Sequence, residues 1–134
     1  MLSTFQNLDS SGNLGGECWN DYEKKIDFWN EKFVSTQDFL KNWQKSSGEL
    51  RKLIKTPEEI VQGLVSSGSA IAFSDLEPSI SEQVARWAVS NCHLMRNRFV
   101  GIDLLEFLGL WTDSEVNWVF DRAYEAIKKV GAAA

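Results

Sequence analysis

The apolar residues of this chain step by three and four. From Cys18 they fall at Tyr22, Ile26, Trp29 and Phe33, at intervals of four, four, three and four, which winds one stripe down an α-helix and leaves Glu, Lys and Asp on the outer face. No useful length of sequence alternates apolar and polar with a period of two, no hairpin is signalled, and no segment repeats. A sheet has nothing to be built from, so the predicted class is all-α, an irregular bundle of about five to six helices. With 134 residues, 43% of them hydrophobic, the chain is long enough to bury a core as one helical domain over 1–134.

Capping chemistry divides the chain. TPEEIVQGLVSSG, residues 56–68, carries Thr56 as N-cap, Pro57 at the first helical position, Glu59 to close a capping box and Gly68 as the stop. TDSE at 112–115 repeats the capping box ahead of Val116, Val119, Phe120, Ala123, Ile127 and Val130, with Lys128 and Lys129 suited to the C-terminal dipole. Between these lies SISEQVARWAVSNCHLM, predicted as a central helix that turns Ile80, Val84, Trp87, Ala88, Asn91 and Met95 to one side, and a short helix from about Gly101 to Leu108 follows. Upstream, Leu2, Phe5 and Leu8 have helical spacing without a cap, as at the end of a longer helix, and SSGNLGG at 10–16 reads as a loop. A helix capped by Ser35 or Thr36 should turn Phe39, Leu40, Trp43, Leu50, Leu53 and Ile54 inward, weakened midway by Ser46, Ser47 and Gly48.

Charge and composition exclude several functions. The net charge of −5 disfavours a nucleic-acid or anionic-membrane surface, which needs clustered Lys and Arg. No apolar run approaches the ~18 residues of a membrane span, and the first 23 residues contain no Lys or Arg to head a signal peptide. The expectation is a cytoplasmic protein without membrane insertion. Cys18 and Cys92 lack CxxC spacing and read as two thiols. His93 is the single histidine, expected at a helix end and not as a ligand, because metal sites built in the usual way draw on several nitrogen or thiolate donors. No GxSxG, phosphate loop or HExxH occurs, so self-sufficient nucleophilic or metal catalysis is not expected.

The six tryptophans are read as core packing, with Trp29, Trp43 and Trp87 at core spacing and Trp111 and Trp118 flanking a helix start. Glu17, Asp21, Glu31, Glu58 and Glu59 belong to solvated helix faces or first turns. Asp103 and Glu106 differ, since they interrupt an apolar run just after Arg96 and Arg98. Pairing across the helix junction would satisfy the carboxylates; alternatively the guanidinium forks are free to contact an anion or substrate.

Three segments, GGECWNDYEKKIDFW, LVSSGSA with the helix before it, and HLMRNRFVGIDLLEFLGLW, resemble the C-terminal helical region of sn-glycerol-1-phosphate dehydrogenases. These enzymes belong to the wider group of iron-dependent alcohol dehydrogenases and dehydroquinate synthases. The likeness runs over most of residues 14–111. It implies a dehydroquinate synthase-like C-terminal helical domain, incomplete, that closes a cleft against a Rossmann-like N-terminal domain carrying NAD(P). In that family a divalent metal is held by one aspartate and two histidines upstream of the matched region. Neither these ligands nor the glycine-rich dinucleotide motif occurs here, so the resemblance implies a fragment that binds neither cofactor alone and has the nucleotide-binding domain as its missing partner, with a homo-oligomer as a further possibility. Arg96, Arg98, His93 and Asp103 are then the candidate substrate-phosphate or interdomain contacts. Where the family motif reads Arg-Phe-Thr, this chain has Val100, which weakens the cap of the next helix by about 1 kcal/mol unless Asp103 compensates. Two rivals stand beside this reading: a standalone helical protein-interaction module, and a phosphate-binding regulator using Arg96 and Arg98.

Overall fold

A computed structural model describes residues 2–6 and 9–132. Leu8 and the side chain of Leu2, both part of the expected first helical stripe, lie outside what it describes. The described residues form α-helices only, joined by loops and 3-10 turns: α1 (Leu2–Phe5), α2 (Asn13–Lys41), α3 (Trp43–Arg51), α4 (Pro57–Ser66), α5 (Glu82–Asn91), α6 (Gly101–Phe107) and α7 (Asp113–Gly131). The all-α class holds, with seven helices among the described residues in place of five or six. None is long and apolar enough to cross a membrane. The chain divides into two compact units, one of the described residues up to Trp43 with Asn91–Leu110, the other of Gln44–Ser90 with the chain from Trp111 onward.

In the first unit α2 is longer than its apolar stripe. It starts at Asn13, inside the expected loop 10–16, because the Asp9 carboxylate accepts from the Ser11 and Leu14 amides at 3.0 and 2.8 Å and Gly12 supplies a left-handed φ of 76°. Nor do Ser35 and Thr36 cap a new helix. Both hydroxyls donate back to the Lys32 carbonyl at 3.0 Å, so α2 runs through them. It ends at Asn42, whose side chain donates to the Asp38 carbonyl at 2.8 Å. Beyond it Trp43, Leu50, Leu53 and Ile54, expected inward, are exposed, although Ser46 to Gly48 do not interrupt α3.

The second unit packs α4 on α7 and α5 on the start of α7. Thr56 and Glu59 close the expected capping box with bonds of 3.1 and 2.8 Å. Gly68 stops α4 at φ 69°, and the amides of Gly68 and Ser69 return to the carbonyls of Val65 and Leu64. Glu58 is not merely solvated, for it meets Lys129 at 3.2 Å and Arg122 at 3.6 Å on α7. Thr112 caps α7 as expected, accepting from the Ser114 amide while Glu115 accepts from the Thr112 amide, each at 3.2 Å. The core here is Ala85, Val116 and Phe120, with Val89 and Trp111 against it. So α5 buries the line of Ala85 and Val89; of the face expected inward, Ile80, Val84, Ala88 and Met95 are exposed and Trp87 and Asn91 half-buried. A small residue at 85 lets α5 approach the bulky Phe120, which Val84 in the same place would obstruct. The tryptophans are less buried than core packing requires: Trp19, Trp43 and Trp118 are exposed and the other three half-buried.

Candidate functional site: a buried lysine–aspartate pair beside His93

Two charged side chains in the first unit have no exposed surface at all. Lys25 projects from α2 and Asp103 from α6, and Nζ lies 2.8 Å from Oδ1. Lys25 occupies the stripe of Cys18, Tyr22 and Trp29, at steps of four, three and four, so it belongs to the buried face and not to the outer face assigned to the lysines. Its ammonium also donates to the carbonyl of His93, in the 3-10 turn Cys92–Met95. Asp103 uses its other oxygen, Oδ2, to accept from the Val100 amide at 2.7 Å. This bond is the reciprocal half of a capping box: it satisfies the Val100 amide, but the α6 amide that a threonine hydroxyl at position 100 would accept from has no such partner, so Asp103 offsets the missing threonine only in part. An ion pair this deep offsets its desolvation only when its remaining donors and acceptors are used, and here each partner has a further backbone bond.

Asp103 therefore pairs with Lys25, and not with Arg96 or Arg98 as the spacing suggested. Both arginines are exposed, without an ion-pair or hydrogen-bond partner among the described residues. The expected junction pairing fails because α2, distant in sequence, brings a cation to Asp103 before any local arginine reaches it. Glu106 is exposed as well. His93 is at the helix end, as expected, but buried to 4% exposure, and neither ring nitrogen has a hydrogen-bond partner. Burial holds its pKa below the ordinary value; the nearby Asp103 and Glu106 charges oppose that shift and Lys25 reinforces it.

Around these groups α2 and the α6 region interleave aromatic rings. Trp29 stacks on Phe107 at 5.2 Å between centroids, Phe99 on Phe107 at 5.8 Å, and Tyr22 on Phe107 at 5.8 Å. Burial, followed by the charges of Glu106 and Asp103, pushes the Tyr22 phenol up. The segment 94–99 is thus held at its start by Lys25 on the His93 carbonyl, at its end by Asp103 on the Val100 amide, and by Phe99 in the ring stack. Arg96 and Arg98 are displayed outward from it.

Among the described residues no three His, Cys, Asp or Glu side chains form a group able to hold a metal ion. His93 would meet an incoming cation beside the Lys25 ammonium, and Asp103 is already committed to that ammonium, so this cluster does not suit a divalent metal. The second unit holds a different feature, a half-open apolar cavity of about 320 Å³ among α4, the 70–76 loop, α5 and α7, with Leu64, Phe73, Val89, Phe120 and Tyr124 in its wall. Its wall presents no charged side chain. No family model, curated protein or solved structure matches this chain. Lys25 is the residue that sequence reasoning missed; its place on the Cys18–Tyr22–Trp29 stripe was the available signal.

Proposed function

We propose that this chain is the C-terminal helical portion of a metal-requiring, NAD(P)-dependent sn-glycerol-1-phosphate dehydrogenase, inactive by itself, with a dehydroquinate synthase-like helical architecture. The observation that carries the reading is the fixed display of two unpaired guanidinium groups, Arg96 and Arg98, on a segment held at both ends by one buried ion pair. Planar forks pre-positioned in this way suit the phosphate of a small phosphorylated substrate. Extensive apolar exposure lends further support: Leu53 at 81%, Val34 at 70% and Trp118 at 64% are surfaces that a further domain or subunit can cover. In the whole enzyme the nicotinamide and the metal, held by an N-terminal domain, supply the redox chemistry; the residues of this chain bind the phosphate and line the cleft.

The test is to read the coding DNA upstream of Met1 and, if the frame stays open, to assay the longer protein for NAD(P)H-dependent reduction of dihydroxyacetone phosphate. Replacing both arginines by alanine should then raise KM about 10- to 100-fold, the equivalent of losing charge-assisted hydrogen bonds. A stop codon immediately upstream, or an active enzyme whose KM ignores both arginines, would overturn the proposal. A second reading, a standalone helical protein-interaction module, is favoured by the same exposed apolar residues. It requires the isolated chain to be monodisperse in light scattering, whereas a dehydrogenase portion should self-associate.

A further inference from the structure

His93 is the one buried titratable side chain of the cluster whose polar atoms make no bond. Its main chain and side chain behave oppositely: the carbonyl is a partner of Lys25, while the imidazole sits at 4% exposure with neither nitrogen satisfied. As a neutral ring it leaves one donor and one acceptor unmet, an arrangement that survives because the ion pair and the aromatic stack hold the turn. As an imidazolium it would bring two unmet donors and a whole charge. The charged groups acting on it are Lys25 from α2 and Asp103 and Glu106 from α6. Lys25 and Asp103 already balance each other, so a proton on His93 leaves the buried cluster with a surplus positive charge beside an ammonium. Glu106, being exposed, is too solvated to cancel it.

The cheapest escape is for the ring to leave the interior. Its own carbonyl is the first anchor of the segment 94–99, so a ring that leaves by movement of its turn, in place of χ1 rotation alone, draws that carbonyl from Lys25. We propose that His93 is an acid-sensitive latch: proton uptake expels the imidazole, releases the His93 carbonyl from Lys25, and loosens the segment that displays Arg96 and Arg98. This goes beyond the enzyme reading and does not depend on it, since it concerns the first unit alone. The direction follows from linkage. The closed state holds His93 below its ordinary value, so as pH falls through about 6.5 the opened state takes up the proton first; above that pH neither state is charged and the latch has no pH dependence. One proton per opening makes the opening equilibrium rise by up to tenfold per pH unit.

The test is amide hydrogen exchange on the intact chain from about pH 7.5 down to about pH 5.5. Once corrected for intrinsic exchange, protection of the Val100 amide should fall by up to tenfold per pH unit below about 6.5 while amides of α7 keep theirs. His93→Leu should remove that dependence. Because the leucine variant could fail to fold, the imidazole of the wild-type chain is titrated by NMR as well; as the single histidine it needs no assignment. A midpoint below the ordinary value, with Val100 protection already falling as the pH drops toward it, supports the latch. A midpoint at or above that value, pH-independent Val100 protection, or a folded leucine variant that keeps the pH dependence each overturns it.

Discussion

Replacing Lys25 by methionine keeps most of the apolar stem and removes only the ammonium, which isolates what the charge does. In the parent chain that ammonium lies 2.8 Å from Asp103 with both side chains wholly buried, and it also holds the His93 carbonyl. Lys25→Met leaves a carboxylate in the interior with the Val100 amide as its remaining partner. Breaking a buried pair from one side costs about 3–5 kcal/mol, and the unmet His93 carbonyl places the expected loss toward the upper half of that range. Replacing both partners, as in Lys25→Met with Asp103→Leu, removes the stranded charge altogether. What remains is the lost bond to Val100, about 1 kcal/mol as for a helix cap, and the unmet carbonyl. The double variant should therefore be less destabilised than the sum of the singles by at least ~2 kcal/mol. Because the chain has two compact units, urea unfolding should be followed through amide protection in α2 and α6, so that the affected unit reports on itself. A loss below about 1 kcal/mol for Lys25→Met, or simple additivity in the double variant, would show that the pair behaves like a surface salt bridge and would refute the reasoning.

Three further outcomes follow from the same geometry. Val100→Thr, at an N-cap in extended backbone, should stabilise α6 by a few tenths to about 1 kcal/mol, read as a rise in Tm, because a hydroxyl can add a bond that the valine side chain lacks. Phe120→Ala should cost about 3–5 kcal/mol in thermal or urea unfolding, since the ring is 3% exposed, lies 6.0 Å from Phe73 and carries the Arg86 guanidinium 4.4 Å above it. Iodoacetamide near pH 8 should label the exposed Cys92 well before Cys18, whose thiol is pushed up by burial and then by the charges of Glu17 and Asp21; equal rates, read by peptide mass, would contradict that order.

What was legible in the sequence is what depends on neighbours along the chain. Thr56, Glu59, Gly68, Thr112 and Glu115 all act within one helical turn, and each is found where its spacing placed it. The bond from the Val100 amide to Asp103 is of the same kind, three residues long. Periodicity alone was less secure. A stripe of apolar residues predicts an inward face only while the helix is unbroken, and the residue that breaks it is weakly marked. Ser35 and Thr36 have the composition of caps, yet a running helix absorbs both hydroxyls through the Lys32 carbonyl. Asn42 makes the real break, and each residue expected inward beyond it, Trp43, Leu50, Leu53 and Ile54, is exposed.

The partner of Asp103 is illegible in the sequence for a different reason. Positive charge beside an apolar run requires a partner, and Asp103 is the carboxylate nearest in sequence to Arg96 and Arg98. Nearness along the chain is a poor guide to partners for buried charge, because desolvation favours whichever cation can reach the carboxylate with its stem packed among apolar neighbours. Lys25 meets that condition: its four-carbon stem lies on the stripe of Cys18, Tyr22 and Trp29, and its ammonium finds two oxygens at the far end. An arginine one or three residues beyond the 3-10 turn has no such path. The division of labour follows from this difference. The lysine that looked like surface composition fixes the junction, and by taking Asp103 it leaves the two arginines that looked structural without a partner, facing solvent, where an anion can meet them.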